Sequence, residues 1–72
     1  MNYRLEYKIK VYGKGAVLYP TEIYEPKSIN QARTMFGVMK KLAPYVDCRI
    51  EVIEYVIYVN GCVESKLIFE KQ

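Results

Sequence analysis

The sequence predicts an α+β domain of order ββαββ, a four-stranded, mainly antiparallel sheet with one helix packed on one face. Three observations predict it. Apolar and polar side chains alternate strictly over residues 3–12, an apolar stripe recurs at helical spacing over residues 29–43, and two apolar-rich segments flank Asn60-Gly61. The chain has 72 residues, so we expect a single domain, residues 1–72.

The first hairpin begins with a strand over residues 3–12, whose side chains alternate without a fault. The glycines of Gly13-Lys14-Gly15 allow the positive φ of a tight turn, and a second strand over residues 16–24 is expected to pair back. Pro20 lacks the N–H that a central strand must donate. The second strand is therefore predicted at an edge of the sheet.

The helix is predicted over residues 29–43. Ser28 and Gln31 have the spacing of a capping box, in which each side chain satisfies a free amide at the helix start. Pro44 disfavours helical geometry at the residue before it, so the helix should end near Ala43. The apolar stripe consists of Ile29, Ala32, Met35, Phe36, Met39, Leu42 and Ala43.

The second hairpin comprises strands over residues 47–59 and 62–70, joined by Asn60-Gly61. This dipeptide is typical of a two-residue type I′ turn. The apolar third strand belongs inside the sheet and the strand with Pro20 at its edge, which predicts the strand order 2-1-3-4. The alternative is the order 2-1-4-3, with the first and fourth strands parallel.

A two-residue turn would fix the register of this hairpin, with Ile53 opposite Ile68 and Val52 opposite Phe69. The set containing Val52 and Phe69 is the more apolar, so we assign it to the face beneath the helix. One helix covers one face of a sheet, so the other set would form an uncovered apolar surface. This predicted partner or dimer interface consists of Ile53, Tyr55, Ile57, Val59 and Ile68.

An alternative arrangement has a β-bulge near Val52-Ile53, which would turn Ile53, Tyr55, Ile57 and Val59 into the core. Without the bulge, Glu54 lies on the helix face. An unpaired buried carboxylate is costly there, so Glu54 is either a binding or catalytic acid or lies beyond the area that the helix covers.

Net charge is +3, from eleven basic and eight acidic side chains. This permits nucleic-acid binding but falls short of a strongly basic nucleic-acid-binding domain. Basic residues with a nearby aromatic on an open sheet are typical of single-strand binders, and Tyr55 would supply the aromatic. The candidate contacts to nucleic acid or an acidic partner are Arg4, Lys8, Lys10 and Lys14, and, on the helix, Arg33, Lys40 and Lys41.

Catalytic and metal-binding patterns are missing from the sequence. The chain has no histidine, and Cys48 and Cys62 lack the spacing of a zinc site, so we expect no enzyme, no metal and no cofactor. Without a signal peptide or a long apolar run, we expect no membrane contact, a cytoplasmic location and reduced thiols. A disulfide between Cys48 and Cys62 is the lesser alternative.

The function predicted from these observations is that of a small non-catalytic interaction protein. We expect a homodimer, packed face to face or bound to a larger protein that it modulates or inhibits. Compact domains of this kind often serve as accessory or inhibitory proteins of phages and mobile elements. The alternative function is a small basic nucleic-acid-binding module.

Overall fold

The computed structural model describes residues 2–72, and its order of elements is the predicted ββαββ with one short additional 3-10 turn. The four strands form one sheet of order β2-β1-β3-β4 in which every pairing is antiparallel. The predicted α+β class and strand order are confirmed, and the alternative with a parallel pair is wrong. The elements are β1 Tyr3–Tyr12, β2 Glu22–Tyr24, α1 Ile29–Met39, a 3-10 turn Ala43–Tyr45, β3 Arg49–Tyr58 and β4 Val63–Lys71.

The centre of the sheet is the pair β1 and β3, which runs from Tyr3 opposite Tyr58 to Tyr12 opposite Arg49 without a shift. Alternation in both strands sends one set of side chains toward the helix. The residues packed in this core are Tyr7, Ile9, Val11, Ile50 and Val52 from the sheet and Ala32 and Met39 from the helix.

The helix begins as predicted, because the Ser28 Oγ accepts the Gln31 N–H at 3.1 Å. The Gln31 side chain reaches one residue further back than expected and accepts the Lys27 N–H at 2.6 Å. The helix ends at Met39, four residues before the predicted end. Leu42 adopts an extended backbone with φ −80° and ψ 137°, and Pro44 then lies in the separate 3-10 turn.

The second strand is shorter than predicted, with three residues in place of nine. Thr21 closes the pairing, since its N–H donates to the Val11 carbonyl at 2.7 Å and its Oγ1 accepts the Gly13 N–H at 3.2 Å. Pro20 has no N–H to continue the ladder. Residues 16–20 therefore form a loop. It follows a turn over residues 13–16, in which the Ala16 N–H donates a hydrogen bond to the Gly13 carbonyl at 2.9 Å.

The turn between β3 and β4 contains three residues, Val59, Asn60 and Gly61, so the predicted two-residue turn is wrong. The Tyr58 N–H donates to the Cys62 carbonyl at 2.9 Å, and only Gly61 takes a left-handed φ, of 92°. One extra turn residue moves the register by one near the turn. The pairs there are Ile57 with Val63, Tyr55 with Ser65 and Ile53 with Leu67.

A β-bulge restores the predicted register further along β4. The pairing shifts between Val52 and Ile53, so that Val52 faces Phe69 as predicted and Ile68 is the extra residue. Because the extra residue lies in β4, β3 keeps its two faces, and the alternative that buried Ile53, Tyr55 and Ile57 beneath the helix is wrong. Ile68 and Phe69 both pack against the helix-side core, although they are consecutive in the chain.

The helix covers one half of the sheet. On its side of β1, Tyr3 and Leu5 are 42% and 45% exposed, whereas Ile9 and Val11 have no exposed surface. We call Tyr7–Tyr12, Arg49–Ile53 and 68–71 the covered half of the sheet, and Tyr3–Glu6, Glu54–Tyr58 and Val63–Leu67 the projecting half. The molecule is correspondingly elongated, with extents of 40 × 25 × 15 Å.

Candidate interaction surface

The sheet face away from the helix carries a contiguous apolar cluster in β3 and β4. Ile53, Tyr55 and Ile57 lie two residues apart in β3 and are half-buried. Leu67 and Val63 stand opposite Ile53 and Ile57 and are 48% and 58% exposed. We call these five residues the open-face cluster. Contiguous apolar patches on a protein surface often mark interaction sites.

Two residues predicted for this surface lie elsewhere. Val59 lies in the turn beyond the strand and is 82% exposed. Ile68 is the bulge residue and packs against the core beneath the helix. Leu67 and Val63 take their places, and the signal that could have found them is the alternation of β4 counted from a three-residue turn.

A row of charged residues from β1 borders the cluster. Their register partners place Arg4, Glu6, Lys8 and Lys10 on the open face beside Ile57, Tyr55, Ile53 and Glu51. The Arg4 Nε lies 3.1 Å from the Glu6 carboxylate, and the Lys8 Nζ lies 4.0 Å from Glu25. The Lys8 Nζ also lies 5.7 Å from the centre of the Tyr55 ring. An apolar centre with a charged border of both signs is the usual composition of a protein interface.

The predicted basic contacts do not form one surface. Arg4, Lys8 and Lys10 share the open face, whereas Arg33 in the helix and Lys40 at its C-cap lie on the opposite side of the sheet. Their charged groups lie over the rings of Phe69 and Phe36, at 5.8 and 5.4 Å from the ring centres. Lys41 follows the helix and is exposed, and Lys14 is exposed in the turn after β1.

Glu54 lies on the helix side at the boundary between the two halves of the sheet and is half-buried. Its carboxylate accepts a hydrogen bond from the Tyr7 hydroxyl at 3.1 Å, and Lys66 is its neighbour across the ladder. Burial and this hydrogen bond raise the pKa of Tyr7. Glu54 therefore has a hydrogen-bonding partner and is not an unpaired buried carboxylate.

The two cysteines lie at opposite ends of β3, which has ten residues. A strand of that length spans about 33 Å, far beyond the roughly 7 Å between Cα atoms that a disulfide allows. The alternative of a disulfide within the chain is therefore wrong. Among residues 2–72, no group of three cysteine, aspartate or glutamate side chains is placed to hold a metal ion.

The described residues form two further exposed apolar surfaces. Residues 17–19 were expected in a strand, but Val17, Leu18 and Tyr19 project from the loop before β2. The Arg49 guanidinium anchors this loop by donating to the Val17 carbonyl at 3.2 Å and stacks on Tyr12, 3.8 Å from its ring centre. The second surface is an apolar groove lined by Tyr24, Thr34, Met35, Val38, Met39, Leu42 and Tyr45.

No helix in the part of the chain that the structure describes is long and apolar enough to cross a membrane. Comparison with protein-family models, with curated proteins and with solved structures finds no match.

Proposed function

We propose that this chain is a small non-catalytic interaction protein, which acts as a homodimer and modulates a larger protein through its open-face cluster. The observation that carries the proposal is the cluster itself, five apolar side chains on a sheet face that the helix leaves uncovered. The two free thiols accord with action in the cytoplasm.

The size of the exposed surface supports a protein as the ligand. A compact chain of this mass is expected to expose about 4,700 Å², whereas this one exposes 5133 Å². Its radius of gyration is 13.0 Å, against about 11 Å for a compact domain of 72 residues. The elongated molecule thus exposes more total surface than a compact chain of its length, and association with protein would bury part of it.

The test compares Ile57→Lys, within the cluster, with Val46→Lys, at a position that is 62% exposed and lies outside both the cluster and the apolar groove. A protein captured by the wild-type chain would be purified and titrated against both variants. We expect the dissociation constant to rise at least tenfold for Ile57→Lys and less than twofold for Val46→Lys, since only the first places a charge in the buried contact. Equal binding by the two variants would show that the open face is not the contact surface.

The second candidate function, binding of single-stranded nucleic acid, has one specific observation in its favour. Arg4, Lys8 and Lys10 form a row on the open face beside the Tyr55 ring. The carboxylates of Glu6 and Glu25 lie close to two of these three cations and reduce the positive field. Three phosphate contacts would weaken binding about 20-fold between 50 and 200 mM salt, which an oligonucleotide titration would detect. Absence of binding at the lower salt concentration would eliminate this candidate.

A further inference from the structure

The outer edge of β4 is unpaired and exposed. Within the described residues, β4 pairs with β3 on one side and with no strand on the other. All five residues from Val63 to Leu67 are exposed, and the bulge begins only at the following residue, Ile68. An unpaired edge strand presents a row of backbone groups that another strand can bind.

The turn before β4 determines which backbone groups of this strand face β3 and which face outward. The Tyr58 N–H donates to the Cys62 carbonyl, so this pair bonds within the β3–β4 ladder. In an antiparallel ladder the bonded residues alternate, so Glu64 and Lys66 direct their backbone groups toward β3. Val63, Ser65 and Leu67 therefore direct their N–H and C=O groups outward from the free edge.

We propose that the homodimer forms by antiparallel pairing of this edge with the same edge of a second copy, about a two-fold axis at Ser65. This inference rests on the proposed function and names its first partner, a second copy of this chain. The two Ser65 residues face each other, and each Val63 faces Leu67 of the second copy. Each Glu64 faces Lys66 of the second copy, which places opposite charges side by side.

This register is the one that the edge favours. Centring the pair on Glu64 or Lys66 would place like charges opposite each other, which destabilises a cross-strand pair. Centring it on Leu67 would place Glu64 opposite Glu70 and draw the Ile68 bulge into the interface. Charged residues usually discourage edge pairing, but the charges of β4 alternate in sign and therefore complement a second copy.

The assembled dimer has a continuous eight-stranded sheet. Residues opposite each other in a ladder share a face, so both helices lie on one side and both open-face clusters on the other. Val63 and Leu67 of each copy meet at the seam and join the two clusters. The larger partner of the proposed function then contacts one doubled apolar surface.

The test mixes two variants that reverse one charge each, Glu64→Lys and Lys66→Glu. Each variant alone faces a like charge at both pairs, and we expect sedimentation equilibrium to give a dimer dissociation constant at least tenfold above wild type. In the equal mixture, every lysine of one copy faces a glutamate of the other, so the heterodimer should form within threefold of wild-type affinity. A mixture that stays monomeric would overturn the proposed register.

A backbone variant keeps the test independent of the charged side chains, because Lys66 also faces Glu54 within the chain. Ser65→Pro removes an outward N–H and leaves the ladder to β3 intact, so it should abolish the dimer, whereas Ser65→Val should retain it. A dimer that survives Ser65→Pro, or that dissociates in Ile57→Lys, would overturn the edge interface while the homodimer stands. A wild-type chain that sediments as an 8.5 kDa monomer would overturn both the edge interface and the homodimer of the proposed function.

Discussion

The covered and projecting halves of the sheet are formed by the same long strands, but the helix packs on only the covered half. In β1, the helix-side residues Ile9 and Val11 are fully buried, whereas Tyr3 and Leu5, a few residues earlier with the same alternation, remain 42% and 45% exposed. The covered half holds the hydrophobic core, and the projecting half carries most of the open-face cluster and the free edge of β4. The hydrophobic core and the surface that we propose for interaction thus lie at different ends of one sheet.

The difference arises from the lengths of the elements. The helix has eleven residues and is about 16 Å long, while the ten-residue strands β1 and β3 extend about 33 Å. The helix therefore spans about half the length of the strands that it packs on. The uncovered strands retain their pairing but present apolar side chains on both faces.

The largest effect expected from this comparison is on stability. Ile50→Ala, in the covered half, should lower the free energy of unfolding by about 2–5 kcal/mol, because it removes a fully buried side chain and leaves a cavity. Leu5→Ala, in the projecting half, should cost about 1 kcal/mol or less, because Leu5 is already 45% exposed. Urea denaturation monitored by circular dichroism measures both. Equal losses would mean that the two halves contribute alike to the core.

A pair of glycine substitutions should change stability in opposite directions. Gly61→Ala forces a left-handed φ of 92° on an L-residue and should destabilise the turn of the projecting half by about 1 kcal/mol. Gly37→Ala lies within the helix, where an added Cβ meets nothing within 4 Å, and should stabilise by about 0.5–1 kcal/mol. Thermal denaturation of the two variants gives the signs. A stabilising Gly61→Ala would contradict the three-residue turn.

The smallest effect concerns the boundary between the halves, where Tyr7 donates to Glu54. The folded state raises the pKa of Tyr7 by burial and by this hydrogen bond, so it favours the protonated phenol. Its contribution to stability is complete below the unfolded pKa of about 10 and is lost as the pH rises through the folded pKa. We expect the difference in unfolding free energy between wild type and Tyr7→Phe to shrink above pH 10. Tyr24 and Tyr58, whose pKa values are also raised, are present in both proteins and cancel. A constant difference would contradict the buried hydrogen bond.

Agreement between the predicted and the observed structure is closest for features that depend on local interactions. The faces of β1, the helix start at Ser28 and the edge position of the second strand were predicted correctly, because each depends on side-chain periodicity, a cap or a missing N–H. Three of the five predicted interface residues, Ile53, Tyr55 and Ile57, lie on the open face for the same reason.

The remaining two, Val59 and Ile68, lie elsewhere because a turn type and a bulge could not be determined from neighbouring residues. Asn60-Gly61 accommodates a two-residue turn or the three-residue turn that is observed, and the choice shifts every pair near it by one. The bulge at Ile68 lets Ile68 and Phe69 both pack on the core, with the Phe69 ring 5.6 Å from that of Phe36. Phe36 and Phe69 are far apart in the chain, so their contact could not be predicted from neighbouring residues.

The sequence by itself therefore determined the order of the elements, the two faces of each central strand and the absence of histidine chemistry. Only the tertiary structure decided how far the helix reaches along the sheet, which residues of β4 join the open-face cluster, and which half of the molecule is left bare. Periodicity is a property of each segment alone, whereas coverage and register depend on how the helix and β4 pack against the same two central strands.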